Sequence, residues 1–74
     1  MKVTEVFRAV MAIRSVRVTD LALRLGMKQN ALSNRLAREN ISIENLVETM
    51  NAMDYKVVVL PNTARIPENG FEIR

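Results

Sequence analysis

Four stretches of the chain have apolar residues at spacings of three and four, the periodicity of amphipathic helices. The helices predicted from this pattern cover residues 4–14, 18–25, 29–38 and 43–53. Thr4 and Ser42 are suited to cap the first and fourth helices, because their hydroxyls can accept a free N–H of the first turn. Gly26 follows the second helix, where a left-handed residue commonly ends a helix.

The apolar stripes of these helices predict one small hydrophobic core. The expected core residues are Val3, Val6, Phe7, Val10, Ile13, Leu21, Ala22, Leu25, Leu32, Leu36, Leu46, Val47, Met50 and Met53. Met11 and Met27 are expected to fill gaps around them, since methionine adapts to irregular spaces.

The pattern changes after the fourth helix. Residues 55–60 are rich in β-branched side chains and stop at Pro61, which predicts a strand. Asn69-Gly70 indicates a turn, and residues 71–74 alternate like a second short strand. We therefore expect a mainly α fold with a C-terminal β strand or hairpin. Residues 1–54 form the helical domain, and residues 55–74 form a β tail rather than a separate domain.

The second and third predicted helices have the outline of a helix-turn-helix, two short helices joined by a brief turn that contains glycine. Ala22 is small where the two helices must approach each other, and Gly26 stands four residues later in the turn. Met27 can plug the turn, and Leu32 anchors the next helix.

The segment TDLALRLGMKQNALSNRLAR, from Thr19 to Arg38, resembles the helix-turn-helix of the Cro/repressor (Xre-like) DNA-binding family. The resemblance extends more loosely through residues 42–46, and it covers about residues 4–54. It implies a helical DNA-binding domain whose helix 29–38 enters the major groove, and it implies a transcriptional regulator, often a repressor.

Three positions depart from the family pattern. Val18 stands where the family often has a glutamine that donates to a phosphate, and Lys28 stands where serine or threonine usually caps the recognition helix. Arg35 occupies the late apolar position of that helix, with Leu36 taking the core role. The first two departures put the family's specific phosphate contacts in question, although Lys28 offers a different one.

Composition narrows the chemistry that the chain can perform. The 74 residues suffice for one small domain, and they include no His and no Cys. The commonest general base, the thiol nucleophile and the usual zinc ligands are therefore missing. With only two glycines and no carboxylate pair placed by a motif, we expect no enzyme, no cofactor and no metal. No apolar run is long enough for a membrane span or signal peptide, which favours a cytoplasmic protein.

The net charge of +3 is unevenly distributed. Residues 8–38 carry seven basic side chains and one acid, whereas residues 39–74 carry six acids and three basic side chains. The first segment is therefore +6 and the second −3. A basic first half favours a polyanionic partner, and double-stranded DNA is the partner that the helix-turn-helix predicts.

Helical spacing places a row of polar residues opposite Leu32 and Leu36 on the third helix. The candidate base-contacting residues are Gln29, Asn30, Ser33 and Asn34. Asn and Gln side chains can pair bidentately with adenine edges, and matching positions contact bases in the phage-repressor branch of the family. The candidate phosphate-contacting residues are Arg17, Arg24, Lys28, Arg35 and Arg38.

One such module buries too little surface for tight specific binding, so we expect a homodimer. The candidate interface residues are Tyr55, Val57, Val59, Phe71 and Ile73. The sequence leaves open whether the tail pairs within the chain or across the dimer. The alternative function is a protein-interaction module of the same fold, antitoxin-like or an accessory subunit, in which the acidic C-terminal half docks a protein and DNA binding is weak or lost.

Overall fold

Four helices follow one another along the chain in a computed structural model that describes all 74 residues. They are α1 (Val3–Arg14), α2 (Val18–Leu25), α3 (Gln29–Ala37) and α4 (Ile43–Asn51). The predicted mainly α architecture with four helices is therefore confirmed. The first helix begins one residue earlier than predicted, and the third and fourth end one and two residues earlier.

The helix starts use different capping groups. The Glu5 carboxylate accepts the N–H of Lys2 at 2.8 Å, so α1 begins at Val3 and the predicted cap at Thr4 is wrong. Ser42 caps α4 as predicted, because its Oγ accepts the N–H of Asn45 at 3.2 Å. These contacts satisfy donors that have no partner inside a helix.

Two helix ends rely on left-handed residues. Gly26 ends α2 with φ 65° and ψ 33°, which is the role predicted for it. Ser15 ends α1 with φ 53° and ψ 42°, although it carries a side chain. The N–H of Val16 then donates to the carbonyl of Met11 at 2.9 Å, which closes the turn and directs Val16 inward.

One hydrophobic cluster holds the four helices together. Its buried members are Val3, Val6, Phe7, Val10, Val16, Leu21, Ala22, Leu32, Leu46, Met50 and Met53. Leu25, Leu36, Met11 and Met27 pack against it while partly exposed. Ile13 is 60% exposed, so its predicted place in the core is wrong, and Val16 in the connection takes up core volume instead.

The C-terminal tail contains no β strand, and the predicted strands at 55–60 and 71–74 are wrong. A strand requires a neighbouring backbone, and no segment of this chain lies beside residues 56–60 to accept or donate their hydrogen bonds. Tyr55, Val57 and Phe71 instead pack singly against the helical core.

The end of the tail is hydrogen-bonded to the N-terminus. The amino group of Met1 donates to the carbonyl of Glu72 at 3.0 Å, and the N–H of Arg74 donates to the carbonyl of Met1 at 2.8 Å. Two such bonds hold the chain ends together but do not make a hairpin. No helix in the structure is both long and apolar enough to cross a membrane.

Candidate nucleic-acid interface

The helix α3 presents one apolar side and one polar side. Leu32 is fully buried and Leu36 packs against the core, where α3 lies against α2 and α1. Because residues three and four apart share a helix face, this packing turns the opposite side of α3 outward. The four predicted base-contacting residues Gln29, Asn30, Ser33 and Asn34 are all exposed.

These four side chains lie together on the surface. They line one shallow, open depression, and no apolar residue contributes to its wall. The side-chain amides of Gln29 and Asn34 and the hydroxyl of Ser33 make no hydrogen bond within the chain, so their donors and acceptors face solvent. The depression therefore offers amide and hydroxyl groups of the kind that can recognise base edges.

Asn30 has a second role at the start of α3. Lys28 occupies the cap position with an extended backbone and makes no side-chain capping bond. The Oδ1 atom of Asn30 accepts the N–H of Ala31 at 2.9 Å instead. One free donor of the first turn is thus satisfied from inside the helix, which compensates for the missing serine or threonine cap.

Two of the predicted phosphate-contacting residues flank α3 and are free of ion pairs. Lys28 precedes the helix and Arg38 follows it, and both side chains are exposed. Arg38 has φ −82° and ψ 130°, so it lies just beyond the helix, whereas the predicted helix 29–38 included it. The two cations therefore stand at opposite ends of α3.

Arg17 is exposed but has an acidic neighbour on its own helix. Its Nε lies 3.5 Å from Asp20 Oδ2, and its N–H donates to the same carboxylate at 3.1 Å. The backbone hydrogen bond from Arg17 and the nearby guanidinium lower the pKa of Asp20 below its ordinary value. Since the Arg17 side chain is 83% exposed, this pair leaves most of the guanidinium open to solvent.

The other two predicted phosphate contacts, exposed Arg24 and largely buried Arg35, donate hydrogen bonds to α4 and its C-terminal end. Arg24 donates from Nη1 to the carbonyl of Ala52 at 3.0 Å, which fastens α2 to the end of α4. Arg35 donates from Nη1 to Glu48 at 2.7 Å and to Thr49 Oγ1 at 3.3 Å. The Arg35 side chain is only 16% exposed, so it joins α3 to α4 and does not face the outer surface of α3.

The predicted dimer residues divide into two groups. Tyr55, Val57 and Phe71 are half-buried against the core of their own chain. Val59 and Ile73 are 96% and 45% exposed and remain available to a partner. Two of the five predicted interface residues are thus exposed enough to contact a partner.

Sequence reasoning missed several exposed side chains and one buried polar group. Arg8, Lys56 and Arg65 are further exposed cations without ion pairs. Thr49 is fully buried and donates from its hydroxyl to the carbonyl of Asn45 at 2.7 Å, a pairing that its place on the apolar side of α4 could have indicated.

Two further features of the surface concern its carboxylates and the exposed side of α4. No three carboxylates come together in a way that could hold a metal ion. A second open depression lies along α4, between Ile43 and Asn51, and it mixes apolar and acidic side chains. No protein-family model, curated protein or solved structure matches the chain.

Proposed function

We propose that this protein binds double-stranded DNA in a sequence-specific manner, with α3 as the recognition helix, and that it acts as a repressor-like transcriptional regulator. The observation that carries the proposal is the depression on α3, whose wall consists of Gln29, Asn30, Ser33 and Asn34. A helix presenting adjacent amides and a hydroxyl on one exposed face suits the major groove, where each base pair displays its own donors and acceptors.

The charges around α3 support the same function. Lys28 and Arg38 are free cations at the two ends of the helix, and Arg17, just before α2, is largely exposed. Contacts to phosphates supply most of the affinity for DNA and fix the register, whereas contacts to base edges supply specificity. In the proposed complex, the polar depression would contact base edges, and the cations at the ends of α3 would contact phosphates.

The proposal includes a homodimer. A single module of this size buries less than the roughly 1,000–2,500 Å² of protein surface typical of specific DNA complexes. A two-fold dimer would present two copies of α3 to successive turns of the groove, about 34 Å apart. Val59 and Ile73 of the tail are exposed apolar residues that such a dimer would cover.

Selection of bound duplexes from a randomised pool, followed by fluorescence anisotropy on the selected and random sequences, tests the proposal. We expect tighter binding to the selected duplex and a steep fall in affinity with rising salt, because phosphate contacts release counterions. If no duplex in the pool is bound at low salt, DNA binding is refuted and the protein-interaction role becomes the better hypothesis.

Two substitutions separate base recognition from phosphate contact. Asn34→Ala should weaken binding to the selected duplex by about 1–3 kcal/mol and leave binding to random DNA nearly unchanged. Lys28→Ala should weaken both and reduce the magnitude of the salt slope by about one. Asn69→Ala, an exposed asparagine in the tail that lies outside α3 and outside residues 58–66, is the matched control and should change neither. Equal losses on both duplexes for Asn34→Ala would exclude base recognition by that residue.

A further inference from the structure

One part of the tail exposes apolar side chains to solvent. We call residues 58–66 the arm. Its exposed apolar residues are Val58 at 62%, Val59 at 96%, Leu60 at 48% and Ile66 at 42%. Its only internal backbone hydrogen bond joins the N–H of Ala64 to the carbonyl of Pro61, so most of its backbone donors and acceptors also face water.

Contacts with the helical core fix the chain on both sides of the arm. Before it, Tyr55 donates its N–H to the carbonyl of Met50 at 2.9 Å, and Val57 packs on the core. After it, Phe71 packs on the core and the chain end is bonded to Met1. The arm is therefore a loop anchored on each side, and the rest of the chain leaves its apolar residues exposed.

A second incompletely covered surface lies along α4. Ile43 is 58% exposed, Val47 is half-buried, and the two lie one turn apart beside Glu44 and Glu48 in a shallow depression. Glu48 is already paired with Arg35, whereas Glu44 makes no ion pair. The helix α4 carries no basic residue, so this depression is apolar and acidic.

We propose that the arm of one protomer covers the α4 depression of a second copy, and that two such contacts form the homodimer. The arm carries Arg65 and contains no acid, while Lys56 lies two residues before it and Glu68 two residues after it. Pairing arm with arm would bring Arg65 against its own copy, and pairing α4 with α4 would bring Glu44 against its own copy. Only the arm-to-α4 contact joins opposite charges as well as apolar surfaces.

This inference rests on the homodimer of the proposed function and specifies its interface. It is independent of DNA, so the dimer and its contacts can be measured on the protein alone. The absence of cysteine allows single-cysteine variants to report contacts without competing thiols.

The test mixes the Val59→Cys and Ile43→Cys variants under mild oxidation. The masses of the two variants differ by one methylene group, so the intact mass of each disulfide-linked dimer shows which variants it contains. We expect the mixed disulfide to form at least about tenfold faster than either symmetric one, because the contact raises the effective concentration of the pair. Leu23→Cys, at an 83% exposed position on α2, is the matched control for Ile43→Cys and should show no preference for Val59→Cys.

Charge reversal provides a second measurement by sedimentation. Glu44→Lys should weaken the dimer about three- to tenfold, and adding Arg65→Glu should restore it, since the opposite charges are exchanged. A dominant symmetric Val59 disulfide would overturn the inference while leaving the homodimer intact. A monomer at near-millimolar concentration would overturn both, and the DNA titrations would still decide whether α3 binds duplexes.

Discussion

Arg35 illustrates how a residue type alone can suggest one role while its neighbours assign another. A basic side chain on a recognition helix predicts a phosphate contact. Its guanidinium instead donates to Glu48 and Thr49 on α4 and is mostly buried. Hydrogen bonds of a charged, partly buried group commonly contribute more to stability than those of exposed ion pairs.

Arg35→Ala should therefore lower the free energy of unfolding by about 1–2 kcal/mol in urea titrations, because a charged hydrogen bond between α3 and α4 is lost. Arg38→Ala is the matched control and should change stability by less than about 0.5 kcal/mol, since its side chain is exposed and unpaired. In DNA titrations, Arg38→Ala should reduce the salt slope and Arg35→Ala should not. If Arg35→Ala reduced the salt slope of DNA binding and left the free energy of unfolding unchanged, Arg35 would be a phosphate contact as the sequence predicted.

The side-chain amide of Asn30 has two groups with different surroundings. Its Oδ1 accepts the N–H of Ala31, while its exposed position keeps the amide N–H₂ group directed to solvent. Because the Lys28 side chain cannot accept a hydrogen bond, this local contact stabilises the start of α3. Sequence spacing placed Asn30 on the outer face but gave no indication of this second role.

At the scale of the element, the helices are short and depend on their ends. Each of the four has between 8 and 12 residues, which is too short for stability in isolation. We therefore expect the capping contacts and the turns between helices to be important for holding α3 in place. Ser15 and Gly26 both adopt the left-handed conformation, but only Gly26 does so without a side chain.

Introducing glycine at position 15 and removing it at position 26 should have opposite effects on the free energy of unfolding. Ser15→Gly should raise the free energy of unfolding by about 0.5–1 kcal/mol, because the left-handed conformation strains residues with a Cβ atom. Gly26→Ala should lower it by about 1 kcal/mol through backbone strain alone, since no atom lies within 4 Å of the added Cβ. Urea titrations measure both, and an unchanged midpoint for Gly26→Ala would show that the turn relaxes in solution.

At the scale of the whole molecule, the core is small and the tail completes it. Twelve of the 74 residues are buried, and most belong to the helices. Tyr55, Val57 and Phe71 add apolar surface from outside the helices, and the contacts of Met1 with the chain end close the molecule. The tail therefore contributes both to the stability of the single chain and, as we propose, to its pairing.

Phe71→Ala should lower the melting temperature by several degrees, because losing a half-buried aromatic ring costs about 1–2 kcal/mol. Val59→Ala is the matched control from the same tail and should leave the melting temperature unchanged at low protein concentration, since Val59 is 96% exposed. Thermal unfolding followed by circular dichroism measures both. Equal, negligible effects would mean that the tail is not docked on the core in solution.

The sequence by itself determined the number and order of the helices, most of the core and the polar face of α3. Those features follow from local periodicity and from capping and turn residues, which act within a few positions of one another. The outward row of Gln29, Asn30, Ser33 and Asn34 could be predicted because Leu32 and Leu36 fix which side of α3 faces inward.

Only the tertiary structure decided which charged residues are engaged and what the tail becomes. Arg24 and Arg35 meet partners 28 and 13 residues away, and no local pattern specifies such contacts. The β-branched run at 55–60 has strand propensity, but a strand forms only where a second backbone is available to pair with it. In this chain no such backbone lies beside it, so Val57 turns to the core and Val58 and Val59 remain exposed.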